Sequence, residues 1–316
     1  MSRPCFIAGD WGTSTLRLTL CGVAGSDLDT LTGPGVAVSG GAFPEIFCAL
    51  VAEWDRLHGR LPAILCGMAG STLGWRETPY VSCPVDARHI AQDIVRFDCA
   101  GRTIAIAPGL SCRNRMMNPD VMRGEETQIL GALRCDPMLS EGRHLLCLPG
   151  THTKWVTLRD GVVEDFLTGL TGELFDILRR HSILVRASTE KRDRTSNAFA
   201  LALEQAAKLA EADLVHLLFA TRSRQLAGEL SPCDAEDYLS GLIIGRDVAG
   251  ALRLFDDVLF DAPRVTVIGA PELSDRYRLA LESRAVSVVR LPGQQASLAG
   301  LAALYAVMTR GMAHAS

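Results

Sequence analysis

A nine-residue phrase recurs in this chain of 316 residues, and both copies have the same build. Gly12 to Leu20 reads GTSTLRLTL, and Gly150 to Leu158 reads GTHTKWVTL. In each, a short apolar run leads into a Gly-Thr turn and an alternating segment leads out. That pattern is strand, tight turn, strand, with backbone N–H groups and hydroxyls gathered at the turn. One such turn can cradle a phosphate. Two of them, one in each half, predict two related lobes that grip a polyphosphate between them.

The length suits two domains better than one core, and the division is expected in the turn-rich stretch 135–143, giving lobes at 1–135 and 136–316. A net charge of −4 argues against nucleic acid as the main partner, which usually leaves a basic footprint. No apolar run approaches the roughly 20 residues that span a bilayer, and the start lacks the pattern of a signal peptide. Ten cysteines are scattered singly with no C-x-x-C pair, which reads as small core residues in a reducing compartment and gives no zinc site. The expectation is a cytoplasmic protein acting on small molecules, with homodimerisation left open.

Along the chain, strands alternate with helices, which makes the class α/β. Apolar strands are expected at 6–8, 16–23, 63–66 and 103–107, and again at 145–148, 154–158, 162–167, 264–268 and 287–291. Helical spacing marks 43–58, 87–97, 125–133, 173–184, 197–230, 235–254, 272–282 and the alanine-rich 295–308, which is expected to close the second lobe or to pack back on the first. Residues 186–194 are polar and read as a surface loop. The strand returns at both Gly-Thr turns make the sheets mixed rather than purely parallel.

Asp10 ends the first strand directly before Trp11-Gly12-Thr13. A carboxylate there can hold a hydrated Mg²⁺ beside phosphate oxygens bound by the turn, or can bond its own turn. Arg17, on the outgoing strand, can face the phosphates or solvent. In the second turn His152 is either a donor to the ligand or a structural residue, and the alternation leaves Lys154 between ligand and solvent. Arg123-Gly124-Glu125-Glu126 opens a helix. Acids in a first turn suit the helix dipole, yet a carboxylate at a cleft mouth can also take a proton from a hydroxyl, with Arg123 gripping an acidic substrate. Gly269, after a late strand, allows a flat ring to approach the backbone.

The strings GDWGTSTLR, GMAGSTLGW, MRGEETQILGA, LPGTHTKWV, TGE at 171–173 and LSGLIIG at 239–245 occur in family order, and together they resemble the 2-dehydro-3-deoxygalactonokinase family. That family lies in the sugar kinase, Hsp70 and actin superfamily. The resemblance implies a two-lobed, ribonuclease H-like (actin-like ATPase) fold with mixed central sheets flanked by helices and a nucleotide cleft between lobes. It implies ATP- and Mg²⁺-dependent phosphorylation of the 6-hydroxyl of 2-dehydro-3-deoxy-D-galactonate, in galactonate breakdown. Carried over, the first phosphate motif falls on Asp10, Gly12, Thr13, Ser14 and Arg17, and the second on Gly150, Thr151, His152 and Lys154. The adenosine side falls on Gly269 and the metal on Asp10. The sugar acid is expected against Gly70, Ser71, Trp75, Arg76 and Arg123, with Trp75 either stacked on the sugar or packed in the core. Related carbohydrate kinases place an Asp at the helix start where this chain has Glu125 and Glu126, so the base is sought first in Glu125 and then in Glu126. A kinase for another small sugar or sugar acid, or a nucleotide-driven switch, is the alternative.

Overall fold

The computed structural model describes residues 3–185, 197–209, 211–260 and 263–313. The chain divides into two compact units: 1–143 with 158–166 and 291–316, and 144–157 with 167–290. The first division thus falls eight residues after the boundary read from the sequence.

The first unit opens with β1 (Phe6–Trp11), β2 (Thr15–Cys21), β3 (Asp27–Pro34), α1 (Phe43–His58) and β4 (Ala63–Gly67). It continues with β5 (Tyr80–Ser82), α2 (Ala87–Gln92), β6 (Val95–Cys99), β7 (Arg102–Ile106), β8 (Gly109–Arg113), β9 (Pro119–Met122) and α3 (Glu125–Cys135). Six strands form a mixed sheet in the order β3-β2-β1-β4-β7-β6, and β5-β8-β9 form a small second sheet. The strands β1, β4 and β7 run parallel, while β2 and β6 pair antiparallel with β1 and β7. In α1 the apolar spacing puts Phe43, Phe47, Val51 and Trp54 on the buried face, Pro44 sits in the first turn, and Gly59 at φ +76° ends the helix. Trp11, Leu16, Leu18, Phe47 and Ile104 join these residues in the core.

The helix expected over 87–97 is two elements. Asp86 caps α2 by accepting from the amides of Arg88 and His89, and the helix ends at Gln92. Val95, Phe97 and Cys99 then alternate with exposed Arg96 and Asp98, the period of a half-buried edge strand.

The second unit holds β13 and most of β10, β11 and β14 of a five-stranded sheet in the order β12-β11-β10-β13-β14, from β10 (Arg143–Leu148), β11 (Thr153–Arg159), β12 (Val162–Gly169), β13 (Arg264–Gly269) and β14 (Ser287–Pro292). Its helices are α4 (Thr171–His181), α5 (Ala198–Lys208), α6 (Leu214–Leu218), α7 (Ala220–Leu226), α8 (Ala235–Leu254), α9 (Asp256–Leu259) and α10 (Pro271–Glu282). The single helical stretch expected over 197–230 is broken into α5, α6 and α7, with Asp213 in extended backbone between the first two. The expected loop at 186–194 lies outside the described residues. Trp155, Phe255, Val265, Val267 and Tyr277 share the core of this unit.

The last helix, α11 (Gly293–Ala313), belongs to the first unit. It packs on α3 at backbone distance. A Cβ on Gly131 would collide with the carbonyl of Ala296, and one on Gly300 with that of Thr127. All ten cysteines are free thiols. Among the described residues no helix is long and apolar enough to cross a membrane.

Candidate active site

In the first unit, β1 and β4 end side by side, and the chain turns away from each through glycine. Asp10 pairs in register with Arg17 on β2 and with Cys66 on β4. After β1, the carbonyls of Gly12, Thr13 and Ser14 accept from the amides of Val36, Ala37 and Gly35. Gly35 must lack a side chain there, since its Cβ would strike the Ser14 and Thr15 backbone. The turn is thereby fixed from behind, while Thr13, Ser14 and Thr15 stay exposed. Asp10, Gly12, Ser14, Thr15 and Arg17 line one open cavity of about 370 Å³.

Asp10 is held by a residue from the other end of the chain. Ser297 of α11 donates its hydroxyl to Asp10 Oδ2 at 3.1 Å. Burial raises the Asp10 carboxyl above its ordinary range, against the pull of Ser297 and Arg17. The neighbouring Cys66 thiol is pushed up by burial, and next by the charges of Asp10 and Glu126.

The start of α3 meets β4 through two glycines. Gly124, at φ +103°, faces the backbone of Gly67, at φ +79°: a Cβ on Gly124 would press on the Gly67 Cα, and one on Gly67 on the Trp11 carbonyl. This close approach places both candidate bases beside β4, and their environments differ. Glu126 is wholly buried. Its Oε2 accepts from the Gly124 amide at 2.5 Å, and its Oε1 has no hydrogen-bond partner among the described residues. Burial, and next the like charge of Glu125, push its carboxyl up to about 8. Glu125 is half-buried and accepts from the Arg123 amide at 3.1 Å. Glu126 therefore holds its proton at neutral pH.

Gly70 and Ser71 lie in the turn after β4. A Cβ on Gly70 would touch Thr78 and Arg123, so these segments are brought together. Arg123 and Trp75, expected against the sugar acid, both have partners within the protein. Arg123 presents no open fork: Nη1 donates to the Thr78 hydroxyl, Nη2 to the Thr78 carbonyl at 2.9 Å, and the guanidinium lies 4.4 Å over the Tyr80 ring. Trp75 takes the packing role of its two readings, enclosed by Trp11, Phe47 and Phe97 at ring distances of 5.9, 5.6 and 5.3 Å. Arg76 is exposed and lies 4.9 Å over Phe97.

In the second unit, the turn Gly150 to Thr153 is clamped by the start of α4. Gly172 packs directly on Gly150 and Thr151, leaving no room for a Cβ. The Glu173 amide donates to the Thr151 carbonyl at 2.8 Å, and His152 Nε2 meets Glu173 Oε2 at 2.5 Å. His152 thus takes a carboxylate partner within the protein. Lys154 does not face solvent. It is buried, and Nζ donates to the Thr168 hydroxyl at 2.8 Å. The alternation rule fails here because β11 is covered on both faces from Thr153 to Leu158.

Beside this turn lies a cavity of about 230 Å³ enclosed by α4, α8 and α10. Phe175, Ile243, Ile244 and Leu273 supply apolar walls, and Gly150, Thr171, Gly172 and Tyr277 line it at the turn. Glu236, Asp237, Ser240 and Arg276 add polar groups. Arg276 Nη2 donates to Asp237 at 2.6 Å, while its buried Nη1 has no partner among the described residues. Gly269 ends β13 nearby and packs against Ser274 and Pro149. Single-residue reading missed Ser297 and most of this cavity wall. The signal for the wall was the LSGLIIG block: Gly241 and Gly245 seat α8 against α5, and Ser240, Ile243 and Ile244 line the cavity.

The mixed sheets, the two Gly-Thr turns and the acid at the end of β1 define a fold of the ribonuclease H-like, actin-like class. The activator of 2-hydroxyisocaproyl-CoA dehydratase from Clostridium difficile, solved with bound ADPNP, shares this fold at 12% identity, with a TM-score of 0.54 and coverage of 100% of this chain and 97% of that one. Within that class, the chain belongs to the 2-keto-3-deoxy-galactonokinase family, whose profile matches residues 10–304. A Rhizobium meliloti (strain 1021) protein named "Probable 2-dehydro-3-deoxygalactonokinase DgoK1" is 40% identical over 303 residues, covering 94% of this chain and 95% of the relative. The 2-dehydro-3-deoxygalactonokinase of Escherichia coli (strain K12) is 32% identical over 310 residues, 98% of each chain. The crystal structure of a Sinorhizobium meliloti protein described as a 2-dehydro-3-deoxygalactonokinase superposes with a TM-score of 0.85 at 38% identity, covering 95% of this chain and 97% of that one.

Proposed function

We propose that the chain transfers the γ-phosphoryl group of ATP to the 6-hydroxyl of 2-dehydro-3-deoxy-D-galactonate, giving the 6-phosphate and ADP. The observation that carries this reading is the end of β1, where Asp10 and Arg17 open beside a rigidly backed Gly-Thr turn. Backbone amides and hydroxyls of Thr13 and Ser14 bind phosphate oxygens, the Gly12 amide closing the turn on the Thr15 carbonyl, and Arg17 adds a positive charge. In the second unit, Gly150 and Thr151 bind phosphate in the same manner. The neighbouring cavity takes the nucleoside, its base against Ile243, Ile244 and Leu273 and its sugar hydroxyls toward Glu236 and Asp237.

Asp10 fits a bound Mg²⁺. Magnesium keeps several waters and takes only one or two protein carboxylates beside phosphate oxygens, and Asp10 lines a cavity of about 370 Å³ with room for both. When bound, the ion neutralises phosphate charge. Ser297 fixes the carboxylate that would hold it.

The sugar acid lies against Gly70, Ser71 and the Arg123 segment. Glu125 accepts the proton of the 6-hydroxyl as that oxygen attacks phosphorus and the bond to ADP breaks. Glu126 lies buried beside it and holds its own proton. Alignment and charge neutralisation supply most of the rate, since phosphoryl transfer asks little covalent chemistry of the protein. The ten free thiols support a reducing, cytoplasmic setting.

Product analysis tests the reading. The chain is incubated with ATP and, separately, with the galactonate- and gluconate-derived 2-keto-3-deoxy acids. A 6-phosphate from the galactonate-derived acid, with little ADP when no acceptor is present, is the expected result. Transfer only to another sugar acid reassigns the acceptor, and acceptor-free ATP hydrolysis points to a switch.

A further inference from the structure

Asp247 lies in the middle of α8, in the second unit, and has no part in the chemistry above. Its carboxylate is enclosed by three donors from three elements. Trp155 Nε1 of β11 donates to Oδ1 at 2.9 Å. The Thr171 hydroxyl at the start of α4 donates to Oδ2 at 2.8 Å, and the Tyr277 hydroxyl of α10 donates to the same oxygen at 2.5 Å. With its proton given to Asp247, Tyr277 accepts from the Thr153 hydroxyl at 2.7 Å. Burial raises the Asp247 carboxyl above its usual range, against the pull of these three bonds. A group that only filled this space would be apolar and would avoid that desolvation cost.

The bonds converge on the second Gly-Thr turn. Thr153 is the last residue of the turn, Gly172 and Glu173 clamp Gly150 and Thr151, and Thr171 precedes that clamp. Thr171 and Tyr277 also line the 230 Å³ cavity. One carboxylate therefore ties both ends of the turn to the cavity wall.

We propose that Asp247 is a positioning residue for nucleotide: it fixes Thr171 and, through Tyr277, Thr153, so that the turn and the cavity hold one geometry for the phosphates and the nucleoside. The inference rests on the kinase reading of the site. Its test measures ATP affinity by titration calorimetry without acceptor, together with KM for each substrate, in wild type, D247N, T171V, Y277F and the T171V/Y277F double variant. A charged acceptor is lost in D247N, so ATP binding should weaken about tenfold. KM for the sugar acid at saturating ATP should not move, whereas a general loosening of the fold would move both. T171V and Y277F act through the same carboxylate, so their effects on ATP affinity should combine non-additively. Should D247N fail to fold, the T171V–Y277F cycle decides. Wild-type affinity in D247N, or independent effects in the cycle, overturns the positioning role alone. A wild-type chain that binds no ATP overturns the kinase reading and this role with it.

Discussion

Glu126 is enclosed, with one carboxyl oxygen on the Gly124 amide and the other unpartnered among the described residues, and its proton is held to about pH 8. Unfolding returns the group to its ordinary value of 4.5. Between those values the folded state binds a proton that the unfolded state has released, so this group's contribution to stability falls as pH rises from about 4.5 through 8. The gap of about 3.5 units is worth roughly 5 kcal/mol in full, and between pH 5 and pH 7 alone about 2 to 3 kcal/mol. Glu126→Gln removes the titration and keeps a carbonyl oxygen for the Gly124 amide. Its side-chain NH₂ adds a pH-independent offset of about 1–3 kcal/mol if left unpaired in the interior. The offset does not matter, because the test is the slope. Urea unfolding of both proteins at pH 5, 6 and 7, without nucleotide, should show the wild type losing about 2 to 3 kcal/mol relative to the variant. Other titrating groups cancel in the difference. A stability difference that stays constant with pH would refute the argument that Glu126 is held protonated in the folded state.

Three further outcomes follow from the same geometry. Asp10→Ala should abolish phosphoryl transfer while thermal unfolding at neutral pH shows no loss of stability, since burial already disfavours the Asp10 charge; a marked fall in Tm would make Asp10 a structural residue instead. Glu125→Gln should lower kcat by about 100-fold or more with KM for ATP nearly unchanged. Full turnover in that variant, with loss in Glu126→Gln, moves the base by one residue. Gly300→Ala should destabilise the first unit by about 2 kcal/mol despite its better helix propensity, because the new methyl meets the Thr127 carbonyl; urea unfolding checks the size and sign.

The two Gly-Thr turns, Asp10, the helix after Gly124 and most of the strand–helix alternation were legible in the chain because each is a local pattern. Turn chemistry, apolar period and capping act over a few residues. The reading failed where two patterns fit the same letters. Residues 87–97 suit a helix until Asp86 caps a short one and β7 offers an edge to Val95–Cys99. The alternation leaves Lys154 between ligand and solvent, and only the covering of both sheet faces shows it buried. Trp75 and Arg123 suit a sugar acid by their chemistry, and only the fold shows that Trp75 packs with Trp11, Phe47 and Phe97 and that Arg123 bonds to Thr78.

The sequence by itself determined the family, the α/β class and the two turns where phosphate can be held, since motif spacing and backbone preference are written in neighbouring residues. Tertiary structure alone decided which side chains those turns depend on. Ser297 reaches Asp10 across 287 positions of chain, and Asp247 gathers donors from three separate elements. The contrast between Glu125 and Glu126 is also tertiary. Two adjacent, identical side chains differ in burial, and it is chiefly desolvation, which no spacing records, that raises the Glu126 carboxyl.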